Sequence, residues 1–193
     1  MPSIAVAIDG LALGPGWLYW APLGSSAPTN TVVGSRFTDT WPVAWLPIGA
    51  TDEGSEWTYE TDTDDVEIAE SLDPVAVVAT GRTIGLSFAM VNINTTNLKR
   101  AMNGGTITTT GSDATTLNEF TPPELGQEVR AMIGWESQDS TERLVGYQVF
   151  QTGEISIERR KGADKAMIPV EWRFEKPVTG PPFRYWTAGT VRG

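Results

Sequence analysis

The sequence has no cysteine and no histidine. The first absence removes disulfides, thiolate nucleophiles and Cys-ligated metals. The second removes the commonest general base and the commonest transition-metal ligand. Basic residues are scarce where aromatics are dense: Arg36 is the only Lys or Arg in the first 80 positions, which hold five of the eight tryptophans. A nucleic-acid reader brings basic surface together with its stacking rings, so a base-stacking platform is not expected. No run approaches the roughly 18–20 apolar residues of a membrane span. The opening MPSIAVAIDGLALGPGW has no basic region and is broken by Gly and Pro, unlike a secretory signal. The expectation is a protein made in the cytosol, with no membrane partner and no redox device. Nucleophile-elbow, phosphate-loop and dinucleotide fingerprints are also missing.

What is present is a chain of 193 residues, 40% apolar and 20% charged, which is enough for one domain with a proper core. The formal net charge is −10, and its placement matters more than its size. Asp52 to Asp73, DEGSEWTYETDTDDVEIAESLD, holds ten of the 24 carboxylates and no base, while the remainder balances 14 acids against 14 bases. The whole net charge therefore sits in one short block.

Residues 1–50 are rich in Gly, Pro and aromatics, and the prolines forbid a long helix or a regular central strand. This part reads as short strands joined by an extended loop from Gly24 to about Thr40. Its large apolar side chains, Phe37, Trp41 and Trp45 among them, mark a partner surface. Alternation then predicts strands at Glu56–Glu60 and Val66–Ala69, linked by an acidic turn at Asp62–Asp65. An apolar run, Val75–Ala79, and an alternating stretch to Val91 follow, with a kink at Gly81-Arg82. NINTTNLKRAMNGG is the one convincing helix, near residues 95–103. Asn94 or Thr95 can cap it, Leu98, Ala101 and Met102 share a face, and Gly104-Gly105 stop it. Further strands are expected at Thr106–Thr110, Thr115–Phe120, Val129–Trp135, Leu144–Phe150, Glu154–Glu158 and Ile168–Glu175. The fold class is mainly β: a β-sandwich or partly closed barrel with one flanking helix and long loop or terminal arms.

The acidic block can be tested against three chemistries. Asp62-x-Asp64-Asp65 opens like a calcium loop, but an EF-hand needs Gly at its sixth position and Glu at its twelfth. Those positions hold Glu67 and Asp73. Glycoside hydrolysis survives the lack of His and Cys because it needs only two carboxylates, one with a raised pKa in an apolar pocket. Nothing singles out such a pair among Asp52, Glu53, Glu56, Glu60, Asp62, Asp64, Asp65, Glu67, Glu70 and Asp73. The tryptophans could stack on sugars, but Trp57, Trp135 and Trp172 sit in alternating strands, where core packing is the default. No catalytic residue, metal ligand or cofactor is expected. A late basic cluster, Arg159, Arg160, Lys161 and Lys165, reads either as an ordinary solvated loop or as a face for the acidic block of a neighbouring copy.

Several stretches taken together resemble a known family. They are Gly49–Gly54, the acidic Trp57/Tyr59 strand, the Asp73-Pro74-Val75 junction, the Thr80-Gly81-Arg82 turn, the strand to Val91, the TTNLKRAMNGG helix and the closing KGADKAMIPVEWRFEKPVTGPPFRYW. Their order and spacing resemble the major tail proteins, the tail tube subunits of long-tailed bacteriophages, over roughly residues 45–105 and 155–187. No single motif is diagnostic. The resemblance implies a non-enzymatic virion protein with a β-sandwich that forms hexameric rings and stacks them into a hollow tube for DNA ejection. It implies self-association within and between rings, with tape measure and tail terminator proteins as further partners and genomic DNA as unbound cargo. It also implies one tube domain over residues 1–193, an arm or loop within residues 1–50, and no appended C-terminal domain.

On that reading Glu56, Glu60 and Glu67, on the strand face opposite Trp57, Tyr59 and Ile68, line the bore. An outward acidic hairpin that keeps tubes soluble is the alternative. Phe37, Trp41 and Trp45 would belong to a ring-to-ring loop. The other readings kept open are a tail terminator or head decoration protein and a carbohydrate-binding β-sandwich.

Overall fold

A computed structural model describes residues 16–67, 69, 73–157, 159 and 165–189. The strands are β1 (Gly16–Pro22), β2 (Val32–Val33), β3 (Arg36–Phe37), β4 (Leu46–Pro47), β5 (Thr51–Val66), β6 (Ala76–Met90), β7 (Thr106–Thr110), β8 (Leu117–Thr121), β9 (Ala131–Ser137), β10 (Glu142–Gln151), β11 (Ile168–Phe174) and β12 (Phe183–Thr187). The helix, α1 (Thr95–Ala101), lies between β6 and β7. The architecture is mainly β, with open sheets and no closed barrel. Two short hairpins, β2–β3 and β7–β8, stand apart from the main sheet.

The main sheet runs β4-β1-β9-β10-β11-β6-β5, with β12 branching from β10. All its pairings are antiparallel. The branch makes the sheet into a sandwich. β9 takes one edge of β10, while β11 and β12 take successive stretches of the other edge, at Val149–Gln151 and Glu142–Gly146. They separate at a bulge between Gly146 and Val149, where Tyr147 bonds towards Pro182 and Gln148 towards Glu175. From there β12 stays with β10, and β11 leads into β6 and β5, which form the second layer. The division needs a glycine: a Cβ on Gly146 would lie 2.4 Å from the Phe174 ring and 2.8 Å from Ile133.

The main core fills the space between the layers. Leu18, Ile133 and Leu144 on one side meet Ile84, Leu86, Phe88, Met90, Trp172 and Phe174 on the other. Alternation explains these choices: β11, IPVEWRF, buries Ile168, Val170, Trp172 and Phe174 and turns Glu171 and Arg173 outward. A second core lies on the opposite face of β1-β9-β10, where Ala21, Met132 and Val145 are covered by Trp45, Trp41 and Tyr19. The Gly- and Pro-rich segment after Gly24 is what covers this face.

Three expectations change. The predicted strand at Glu56–Glu60 and the acidic turn expected after it are one continuous strand, β5, in which Asp62–Asp65 pair with β6 across a register shift. Of the second predicted strand, Val66–Ala69, only Val66 belongs to β5, Ala69 lies in a turn and Ile68 is outside the described residues. The turn lies beyond Val66, closed by the bond from the Val75 amide to the Val66 carbonyl. The strand predicted over Glu154–Glu158 is also not found among the described residues there. Its alternating Ile155 and Ile157 pack on the core from irregular backbone. The loop from Gly24 to Thr40, moreover, contains the β2–β3 hairpin.

Candidate functional site

β5 and β6 carry the acidic block. Register places Trp57 opposite Leu86 and Tyr59 opposite Ile84, on the core side. Glu56, Thr58 and Glu60 pair with Ser87, Gly85 and Thr83, on the other side. That outer face continues across β11, where Glu171 pairs with Ser87 and Arg173 with Gly85. It therefore carries Asp52, Glu56, Glu60, Asp62 and Glu171 against Arg173 and the Lys165 that pairs with Asp52. A shallow groove of about 480 Å³ crosses it, lined in part by Asp52, Glu53, Glu56, Glu154 and Glu171. Among the described residues no group of three or more acids could hold a metal ion.

Beyond Arg82 the hairpin leaves the body. β11 covers β6 only from Gly85 to Met90, and every residue from Ala76 to Arg82 is exposed, as is all of β5 from Ser55 to Val66. Asp64 and Asp65 ride on this projecting part, and Glu67 sits just past its β5 end, exposed. Asp73 is exposed in the turn, and Glu70 lies outside the described residues. Opposite the acids run Val75, Val77 and Val78, all exposed.

The basic cluster is only partly described. Lys165 forms an ion pair with Asp52 of its own chain, and Arg159 is exposed. Arg160 and Lys161 lie outside the described residues.

The three aromatics of the early segment are turned to the body. Phe37 and Trp45 are buried. Trp41 stacks on Tyr19 with centroids 4.4 Å apart and donates its indole N–H to Glu136 at 2.5 Å. Beneath them Arg143, 1% exposed, bonds both oxygens of Glu136 and donates to the carbonyls of Thr29 at 3.1 Å and Asp39 at 2.5 Å. Its guanidinium also faces the Phe37 and Trp41 rings at 4.8 and 5.7 Å. This clamp ties both ends of the segment to the sheet and leaves Val32 and Val33 exposed at its β2 strand. Neither Arg143 nor Glu136 stands out in sequence, because a buried ion pair in alternating strands looks like two surface charges.

Where the layers divide, a cavity of about 860 Å³ opens. Trp57 and Leu86 form one wall; Trp135, Leu144, Phe183 and Tyr185 form the other. Trp57 and Phe183 touch edge to face across it, 5.4 Å apart. Burial, with Glu142 as hydrogen-bond partner and neighbouring charge, pushes the Tyr185 phenol up to about 12. Sequence reasoning missed this cavity because its walls come from strands far apart in the chain.

The described residues thus present an extended acidic face, a projecting hairpin and an open, largely apolar fork. No curated protein matches the sequence. The sequence profile of the family described as phage tail tube protein matches residues 11–188. The chain belongs to the phage tail tube protein family.

Proposed function

We propose that this protein is the structural subunit of a tail tube built from stacked, hexameric rings, with the outer face of β5-β6-β11 turned to the bore. The family supports self-assembly into a tube and a place in the virion tail; ring number, stacking and lumen are the proposal. One observation carries it: a broad exposed sheet face holds five carboxylates, Asp52, Glu56, Glu60, Asp62 and Glu171, against two bases, Arg173 and the Lys165 that pairs with Asp52. Duplex DNA carries about one negative charge per 1.7 Å, so a basic wall would neutralise phosphates, release counterions and hold it. A negative wall lets it slide during ejection. A ring of six subunits carries six times −10, or −60, formal charges.

In this reading Glu56 and Glu60 line the lumen and Glu67 sits at the hairpin end. Arg159, Arg160, Lys161 and Lys165 border a neighbouring subunit, with Lys165 already neutralising Asp52 within its own chain. Phe37, Trp41 and Trp45 act from inside, holding the segment whose Val32-Val33 tip meets the next ring. Residues 1–193 act as one tube domain without a catalytic role, and the tube ends and interior meet terminator and tape measure proteins.

The test is electron microscopy of the concentrated protein, followed by a density map. Tubes of even diameter with Glu56 and Glu60 on the inner wall are expected. Tubes with those residues on the outer wall, or buried against another ring, would remove the lumen assignment; particles that never form rings or tubes would remove the whole reading. Replacing Val32 and Val33 by Asp tests the ring-to-ring tip, since unimpaired polymerisation would exclude it.

A further inference from the structure

Asn103-Gly104 is the only Asn-Gly pair in the sequence. Asparagine is a thermolabile residue, most of all before glycine, whose amide nitrogen no side chain screens. The fold places this pair at a joint. Asn103 takes the left-handed conformation, with φ 54°, and follows the Met102 C-cap of α1. Its N–H donates to the Arg100 carbonyl at 3.4 Å, and that of Gly104 donates to the Lys99 carbonyl at 2.8 Å, a Schellman ending. The Asn103 carbonyl accepts from the Val129 amide at 2.7 Å, just ahead of β9. Its side chain reaches β10: Oδ1 accepts from the Gln151 amide and Nδ2 donates to the Gln151 carbonyl, both at 2.8 Å.

Register explains the last contact. β9 pairs Ala131 with Val149, and the same ladder continued by two residues would set Val129 against Gln151. Val129 bonds to Asn103 instead, and the Asn103 side-chain amide, with the donor and acceptor of a peptide, takes the place on Gln151. Gln151 is 5% exposed, so its backbone groups are costly to leave unpaired. Its own side chain accepts from the Glu171 amide at 2.7 Å. The end of α1, the approach to β9, the end of β10 and β11 therefore meet through one amide. The same bonds hold that amide still. Ring closure needs the Gly104 nitrogen, stripped of its proton, to reach the Asn103 Cγ. In the closed joint that N–H is held on Lys99, and both ends of the amide are held on Gln151.

We propose that Asn103 is a deamidation site gated by the docking of α1 on β10: the closed joint preserves the amide, and an opened joint converts it and cannot close again. On opening, the Gly104 nitrogen loses its proton to solvent base and attacks the Asn103 Cγ. A new Cγ–N bond forms, the Cγ–Nδ2 bond breaks, and ammonia leaves with a proton taken from water, giving a cyclic imide. Water then adds to one imide carbonyl and the ring C–N bond there breaks. Opening at Cγ leaves aspartate; opening at the main-chain carbonyl leaves isoaspartate, whose backbone runs through the former side chain. Either product carries a carboxylate in place of the amide, with no N–H for the Gln151 carbonyl and a negative charge against it. A subunit that has opened is thereby marked irreversibly. The gate belongs to the single subunit and does not depend on tube formation.

The test holds the parent protein at mildly alkaline pH in isotopically heavy water, with and without denaturing urea, and follows the Asn103 peptide by mass spectrometry. Conversion should appear in urea and be at least about tenfold slower in the folded protein, the factor that about 1.4 kcal/mol of opening free energy supplies. Asn94→Ala, which weakens the start of α1, should speed conversion in the folded protein and leave the rate in urea unchanged. Equal rates with and without urea, or no response to Asn94→Ala, would overturn the gate. No conversion in urea would overturn the site itself. Asn103→Asp tests the consequence. It should lower the urea midpoint at neutral pH, and the deficit against the parent should shrink at acid pH, where the protonated side chain again offers an O–H to the Gln151 carbonyl. Parent-like stability of this variant at neutral pH would show the joint closing on a carboxylate and overturn its one-way character.

Discussion

Arg143 shows how one side chain can fix the path of a segment remote from it in sequence. Its guanidinium is shared between Glu136 and the carbonyls of Thr29 and Asp39, more than 100 positions away. Removing one partner of a buried pair strands the other charge, which typically costs about 3–5 kcal/mol. Arg143→Ala should therefore lose about that much in urea unfolding, with the Trp41 fluorescence changing as its stack on Tyr19 loosens. Arg143→Met with Glu136→Leu should recover only part, because the two carbonyls and the Trp41 indole N–H remain unpaired. A second residue-scale prediction concerns Tyr185. Its neutral phenol is favoured in the fold, with the pKa raised from 10.0 to about 12. The unfolded chain ionises first, so stability is full below pH 10 and falls as pH rises towards 12. Ultraviolet titration should show Tyr185 ionising late, alongside Tyr19, whose phenol burial and Glu136 also raise, and Glu142→Gln should bring Tyr185 down. A normal titration in the parent protein would contradict the partial burial of this ring beside Glu142.

At the scale of elements, α1 is secured at its start. The Asn94 side chain accepts from the Asn97 amide at 2.8 Å, and Lys99 and Arg100 lie in the last turn, where the helix dipole favours cations. Asn94→Ala should cost about 1 kcal/mol, read as a shift of the denaturation midpoint without change in slope. This cap was legible in the sequence, as were the glycine stop and β7, because their signals are local. So was the opposition of Glu56 and Glu60 to Trp57 and Tyr59, since alternation needs only one buried face. The Asp62–Asp65 stretch reads as a turn for a matching reason. Where both faces of a hairpin meet solvent, no period survives to mark the strand, and Asp and Thr resemble a turn. The Trp-rich segment reads as a partner surface because its cover, the outer face of β1-β9-β10, needs β9 and β10, which lie more than 80 residues later. Long-range pairing of that kind leaves no local trace.

For the whole molecule, the acidic face sets the behaviour towards DNA. Tubes assembled from a Glu56→Lys/Glu60→Lys variant should retain duplex DNA at low salt and release it as salt rises. The logarithmic slope should be about −0.9 for each phosphate neutralised, whereas parent tubes should retain none. Retention by the parent tubes, or none by the variant, would place these residues away from the bore. Assembly itself should remain, because both positions are exposed on a face that the subunit does not pack against.

The two ends of the main sheet are unequal. At one end β4 is two residues long and contains Pro47, which cannot extend a ladder. At the other, β5 offers 16 residues with an open side, interrupted by two register shifts, and carries seven carboxylates and no base. If two molecules met through this edge by a two-fold axis, 14 negative charges would face one another along the seam. Mutual repulsion acts against that back-to-back pairing and so favours contacts between unlike surfaces over a symmetric dimer through this edge. In the proposed tube, a filament joined by unlike surfaces would have a front and a back, and its first ring would set its direction.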